Sequence, residues 1–127
     1  MSQLLSQQRF QKSKVLITGH TGFKGSWLTA WLKELGAQIT GISLDPPTRP
    51  AHFLAAQLDH GIQDLRIDLR DRKAIKRAIL DSQPEFLFHL AAQPLVLDSI
   101  KEPIKTIYAK YTPSICNLET DVKCAAL

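Results

Sequence analysis

Cysteine is scarce. Cys116 and Cys124 are the only two in 127 residues, and neither a C-x-x-C nor any metal-ligand spacing relates them. That excludes a disulfide scaffold and a cysteine-held metal, and no metal site is expected; free thiols in a reducing cytosol are the default. No apolar run approaches the roughly 20 residues of a membrane span, and the first ten residues are polar with no apolar signal core. The expected location is cytoplasmic, with no membrane partner. There is no extended Lys/Arg run and no interleaving of aromatic with basic residues, so the net charge of +4 reads as a solvated surface and argues against a nucleic-acid partner. Internal repeats, low-complexity segments and a second domain are also missing. What remains is 44% hydrophobic and 22% charged, an ordinary globular composition. The length suits one domain that buries roughly two thirds of its unfolded surface.

One stretch organises the chain, residues 15–28 (VLITGHTGFKGSWL). An apolar run, Val15 to Ile17, ends in a turn with glycines at 19, 22 and 25; the apolar residues Trp27, Leu28, Trp31, Leu32 and Leu35 follow at helical spacing. This reads as strand, tight turn, helix. Glycines let the backbone turn sharply and approach a bound group without a Cβ between. The helix start then offers unpaired N–H groups and about half a positive charge to an anion. A dinucleotide pyrophosphate fits that description, and the third glycine lets helix and strand pack closely. The spacing is G-x-x-G-x-x-G, and the context gives it meaning: a strand before, a helix after, and a second strand ending in Asp45 about twenty residues later. The alternative is a glycine-rich turn that binds nothing.

Taken in order, residues 1–12 read as a mobile leader and 13–127 as a partial dinucleotide-binding domain. Strands are expected at 14–18, 38–44, 64–67 and 86–90, and helices at 24–35, 52–58 and 72–81. Trp27, Trp31 and Leu35 share one wide apolar helix face, which places the tryptophans in the core. Gly36 is a helix stop. Asp71 can cap the third helix, whose inward residues would be Ile75, Ala78 and Ile79. Asp45 would accept hydrogen bonds from adenosine ribose hydroxyls and repel a 2′-phosphate, favouring NAD over NADP; a simple turn aspartate before Pro46 and Pro47 is the alternative. His89 reads as a core histidine. The β-α-β-x-β-α-β succession implies an α/β fold, a parallel sheet of order 3-2-1-4 with right-handed crossovers and flanking helices, ending after about four strands.

Residues 18–28 resemble the opening fingerprint of the extended short-chain dehydrogenase/reductases, which carry a Rossmann-like fold. The version HTGFKGSW at 20–27, with residues 44–48 (LDPPT), 89–96 (HLAAQPLV) and 102–106 (EPIKT), is similar to the CDP-glucose 4,6-dehydratases among them. The likeness runs from about residue 12 to 106, with a fainter echo at 118–120. It implies a lyase of nucleotide-sugar and deoxysugar metabolism, which converts CDP-glucose to CDP-4-keto-6-deoxyglucose with a tightly held NAD. Position by position, it implies that Gly19, Gly22, Phe23, Lys24 and Gly25 surround the pyrophosphate and that Asp45 holds the ribose. Asp68 and Leu69 would border the adenine, and Ala91, Ala92 and Gln93 would line the path to nicotinamide and sugar.

The chain also departs from the family pattern. The family's acid/base machinery is a Tyr-x-x-x-Lys pair, in which lysine lowers the tyrosine pKa, and a Ser/Thr, all lying beyond this stretch. Here Thr112 stands four residues after Tyr108, and Ile115 four after Tyr111. Leu97 replaces the usual arginine, and Lys110 and Pro113 stand in the region of the family's Asn-x-x-Gly. The expectation is the N-terminal NAD-binding part of such an enzyme, without catalytic residues of its own. The alternatives are an inert nucleotide-binding half-fold or another NAD-dependent nucleotide-sugar epimerase or dehydratase. A fourth strand left as an open edge would also favour self-association. The 127-residue chain is expected to release no 4-keto sugar from CDP-glucose in the presence of NAD; measured release would overturn that expectation.

Overall fold

The computed structural model describes residues 8–46, 51–91 and 123–126. Along the chain run β1 (Lys14–Thr18), α1 (Phe23–Glu34), β2 (Gln38–Ser43), α2 (His52–Ala55), β3 (Gln63–Arg66), α3 (Arg72–Ser82), β4 (Phe86–His89) and β5 (Lys123–Ala126). Every strand pair is parallel, and the sheet order is β3-β2-β1-β4-β5. The expected 3-2-1-4 order is therefore present and is extended by one strand. Boundaries moved by only one or two residues, except for α2, which stops three residues short of the expected 58.

β1 is central and buried on both faces, which explains its uninterrupted apolar run. Leu16 points to one layer with Ile42, Leu87 and the α3 residues Ile75, Ala78 and Ile79. Val15 and Ile17 point to the other, with Ile39 and Leu32 of α1. Asp71 caps α3, its Oδ1 accepting from the Ala74 N–H at 3.1 Å. Gly36, at φ +82°, ends α1 in the left-handed region that glycine adopts freely.

Two expectations are corrected. The tryptophans do not enter the core: Trp27 is 55% exposed and Trp31 61%. The inward face of α1 is Gly25, Ser26, Thr29 and Leu32. Its first turn lies so close to the β1 turn that only small residues fit there, so the larger apolar stripe faces outward. The Trp27 ring instead stacks on His52 of α2, with centroids 4.3 Å apart. Second, β4 is not an open edge, because β5 pairs with it from Phe86↔Lys123 to His89↔Ala126. The ground for self-association through that edge goes with it. Residues just before 13 also touch the sheet. Phe10 packs at 5.1 Å from the Phe86 ring, and the Lys12 N–H bonds the Gly36 carbonyl at 2.8 Å.

Ile79→Ala should cost about 2–5 kcal/mol, as for other large-to-small changes in a packed core. Trp31→Ala should cost less than about 1 kcal/mol, as at exposed positions. Urea unfolding of both variants checks this; equal costs would put Trp31 back in the core.

Candidate functional site

The carboxyl ends of β1, β2, β3 and β4 converge on one rim, and the strand order reverses there between β1 and β4. Ligands bind at such a crevice in open α/β sheets. The β1–α1 turn stands at its centre. The Gly19 N–H donates to the Ile42 carbonyl at 2.8 Å, and the Gly22 N–H to the Gly19 carbonyl at 3.2 Å. Gly19 has φ +77°. A Cβ on it would sit 2.7 Å from the Ala91 nitrogen, so the end of β4 presses directly on the turn. A Cβ on Gly25 would sit 1.9 Å from the Gly19 carbonyl oxygen. Gly22 is different: a Cβ there would meet only the Gly19 oxygen, at 3.5 Å, and otherwise open space. Two of the glycines are thus required by the protein's own packing. The third opens outward.

Gly22 is also the N-cap of α1. It provides no side-chain cap, and the first turn of the helix carries no acidic residue. The first-turn N–H groups of Phe23, Lys24 and Gly25 are accordingly left for an external acceptor. The Phe23 and Lys24 side chains are exposed. A cradle of this shape, uncapped and with one glycine facing open space, fits a pyrophosphate.

Around this turn the rim is wired by short polar contacts. Thr18 is fully buried, and its Oγ1 lies 2.7 Å from His89 Nδ1 and 3.4 Å from the Ala91 N–H. Thr21 Oγ1 donates to the Leu44 carbonyl at 3.0 Å and lies 2.7 Å from Ser43 Oγ. Asp45 follows directly after that carbonyl. Its side chain is 91% exposed and reaches Arg66 Nη1 at 3.3 Å. Asp68 lies just past β3 and holds the Arg70 guanidinium at 2.6 Å. Leu69 packs against the α3-side core, so it supports the fold as well as the rim. Of the sequence-predicted residues, Gly19, Gly22, Phe23, Lys24, Gly25, Asp45, Asp68, Leu69 and Ala91 all lie on this rim. Ala92 and Gln93 lie outside the described residues.

Sequence reasoning missed a polar pair beneath the rim, a buried histidine on a half-buried aspartate. His20 is fully buried, and its Nε2 lies 2.6 Å from Asp64 Oδ1. The ring sits where a Cβ on Gly41 would come within 2.4 Å, and it meets the Phe53 ring edge-on at 5.1 Å. Burial lowers the His20 pKa below 6.5, outweighing the opposite pull of Asp64. The Ile42 carbonyl adds a weaker pull toward protonation without reaching hydrogen-bond geometry. The neutral ring therefore donates from Nε2 to the carboxylate, and Nδ1 has no hydrogen-bond partner among the described residues. The available signal was Gly41: a glycine inside a strand marks close approach of another group.

Among the described residues no group of three or more His, Cys, Asp or Glu is placed to hold a metal, and no helix is long and apolar enough to cross a membrane.

Comparison with known proteins gives the rim its context. Residues 15–118 match the model of the NAD dependent epimerase/dehydratase family. The chain is 40% identical over 117 residues to a CDP-glucose 4,6-dehydratase of Salmonella typhimurium, covering 92% of this chain and 33% of that protein. It is 34% identical over 100 residues to a GDP-mannose 4,6-dehydratase of Yersinia enterocolitica, covering 71% and 26%. The Thermus thermophilus UDP-glucose 4-epimerase, solved in complex with NAD, superposes with a TM-score of 0.65 at 28% identity, over 76% of this chain and 30% of that one. The chain thus spans about a quarter to a third of the length of the curated relatives it matches.

A pH test probes the polar pair. Because the folded state holds His20 below its unfolded pKa of 6.5, the unfolded chain binds the proton first as pH falls. The stability tied to neutral His20 is complete above 6.5 and is lost as pH drops from there toward the folded value. The melting temperature should fall between pH 7.5 and 5.5, and His20→Gln should fall less over the same interval. Equal slopes would remove His20 from the account.

Proposed function

Because this chain belongs to the NAD dependent epimerase/dehydratase family, we propose that it is the NAD-binding part of a CDP-glucose 4,6-dehydratase. The observation that carries this reading is Gly22, a helix N-cap that the protein's own packing does not require to be glycine. The CDP-glucose assignment is supported by the fingerprint at 18–28 together with the Salmonella likeness.

When bound, NAD supplies reversible hydride acceptance, which a 4,6-dehydration uses to oxidise C4 before water leaves and to reduce C6 afterwards. This chain's residues bind and orient. The backbone N–H groups of Phe23, Lys24 and Gly25 meet the pyrophosphate, and the Lys24 side chain adds positive charge beside it. Asp45 accepts from the adenosine ribose hydroxyls. Asp68 and Leu69 border the adenine. Ala91, followed by Ala92 and Gln93, leads toward the nicotinamide and the sugar.

Calorimetric titration separates packing glycines from the binding one. The wild-type chain is expected to bind NAD. Gly22→Ala should cost no more than about 1 kcal/mol of stability, the scale of an N-cap change, and lose at least about tenfold in affinity, since a methyl group would enter the phosphate space. Gly25→Ala should be destabilised by about 3 kcal/mol or more, at the upper end of overpacking costs. A Gly22→Ala chain that binds NAD as tightly as wild type would overturn the reading.

A further inference from the structure

Arg66 ends β3, and it is the only cation that joins the carboxylate past β2 to the polar pair beneath it among the described contacts. Its Nη1 donates to Asp45 Oδ1 at 3.3 Å and to the Leu44 carbonyl at 3.1 Å. Its Nη2 donates to Asp64 Oδ2 at 3.0 Å, and Asp64 in turn accepts from His20. The guanidinium lies over the Phe53 ring, 5.6 Å from its centroid. A planar fork with several fixed donors can hold two carboxylates and a carbonyl at once, which an ammonium cannot. The group is held on several sides, and its side chain is still 32% exposed.

We propose that Arg66 determines which dinucleotide the site accepts. This rests on the reading of Asp45 as the ribose carboxylate. Two consequences follow from the contacts. First, Arg66 is a positioning residue: Asp45 is almost wholly exposed, and the guanidinium fixes the direction of a carboxylate that would otherwise sample several rotamers. Second, Asp45 and Asp64 outnumber the one guanidinium, so with neutral His20 the group carries a net charge of −1 by count of these residues. That charge opposes a 2′-phosphate. With Asp45 neutralised, the count falls to zero and Nη1 loses its carboxylate partner. A guanidinium then stands at the ribose position with a free donor, which is the geometry that receives a 2′-phosphate.

The test is a titration of the full chain with NAD and with NADP. Wild type should bind NAD more tightly than NADP. Asp45→Ser should gain about tenfold for NADP, the value of one charge-assisted hydrogen bond. The gain should vanish in the double variant Asp45→Ser/Arg66→Gln. Arg66→Gln alone should lose about tenfold for NAD, with Arg66→Lys intermediate. Melting curves of each variant report a purely structural role for Arg66 separately. A double variant that keeps the NADP gain would overturn the proposal, as would an Arg66→Gln chain that binds NAD as tightly as wild type. Either result leaves NAD binding by the wild type intact. A wild type that binds neither dinucleotide would overturn both this proposal and the function it rests on.

Discussion

The close approach of α1 to the β1 turn governs this structure. A Cβ on Gly25 would lie 1.9 Å from the Gly19 carbonyl oxygen, and one on Gly19 would lie 2.7 Å from the backbone of Ala91. No side-chain adjustment relieves a backbone contact of that kind. The helix must therefore meet the sheet through small residues, and Ser26 and Thr29 are fully buried beside Gly25. Their hydroxyls bond back to the Phe23 and Gly25 carbonyls within the helix, so the polar atoms carried inward are satisfied there. The tight joint also fixes where the first-turn N–H groups point. A looser helix would be a better home for tryptophan and a worse one for an anion.

The rim above this joint is held by polar contacts between neighbouring strands. Thr18 joins β1 to His89 of β4, and Thr21 joins the turn to the end of β2. Arg66 joins β3 to the same Leu44 carbonyl that Thr21 reaches. Four strand ends are thereby tied to one turn. Buried polar groups are costly when unpaired, so a network of this kind concentrates where it has another use. In this sheet it is concentrated at the carboxyl end of the strands, by the switch point between β1 and β4; toward the other end Thr40 Oγ1 reaches Gln63 Oε1 at the longer distance of 3.4 Å. The opposite end of the same strands is fastened by ordinary backbone contacts, such as the Gln38 N–H on the Ser13 carbonyl and the Glu85 N–H on the Lys14 carbonyl.

The sequence made the strands legible because a strand buried on both faces reads as an unbroken apolar run, as in Val15 to Ile17 and Phe86 to Phe88. The α3 cap and its inward residues were legible because Asp71 and the 75, 78, 79 spacing follow local rules. The orientation of α1 was not. Counting apolar residues selects the stripe through Trp27 and Trp31, whereas the buried stripe runs through Gly25, Thr29 and Leu32. Size, set by a neighbour across the turn, outranked hydrophobicity. β5 was not legible either: Lys123–Ala126 has no β-branched or aromatic residue, and its pairing with β4 is a long-range event with no local signature. The His20–Asp64 contact spans 44 residues and was hidden for the same reason.

The three glycines therefore differ in what they answer to. Gly19 and Gly25 answer to the protein, because a methyl group on either would strike backbone. Gly22 answers to nothing the protein itself presents, and its backbone is in an extended conformation open to any residue, at φ −75° and ψ 175°. A residue so placed gains less for folding from lacking a side chain than from carrying a capping hydroxyl or carboxylate, and glycine carries an entropic cost in the unfolded state. Folding alone would favour a serine or aspartate there, whose side chain caps the helix. The glycine makes sense when the space above it must stay clear and the N–H groups beside it must stay unpaired. That is a requirement of binding, and it is the point at which the packing of this fold and its use diverge.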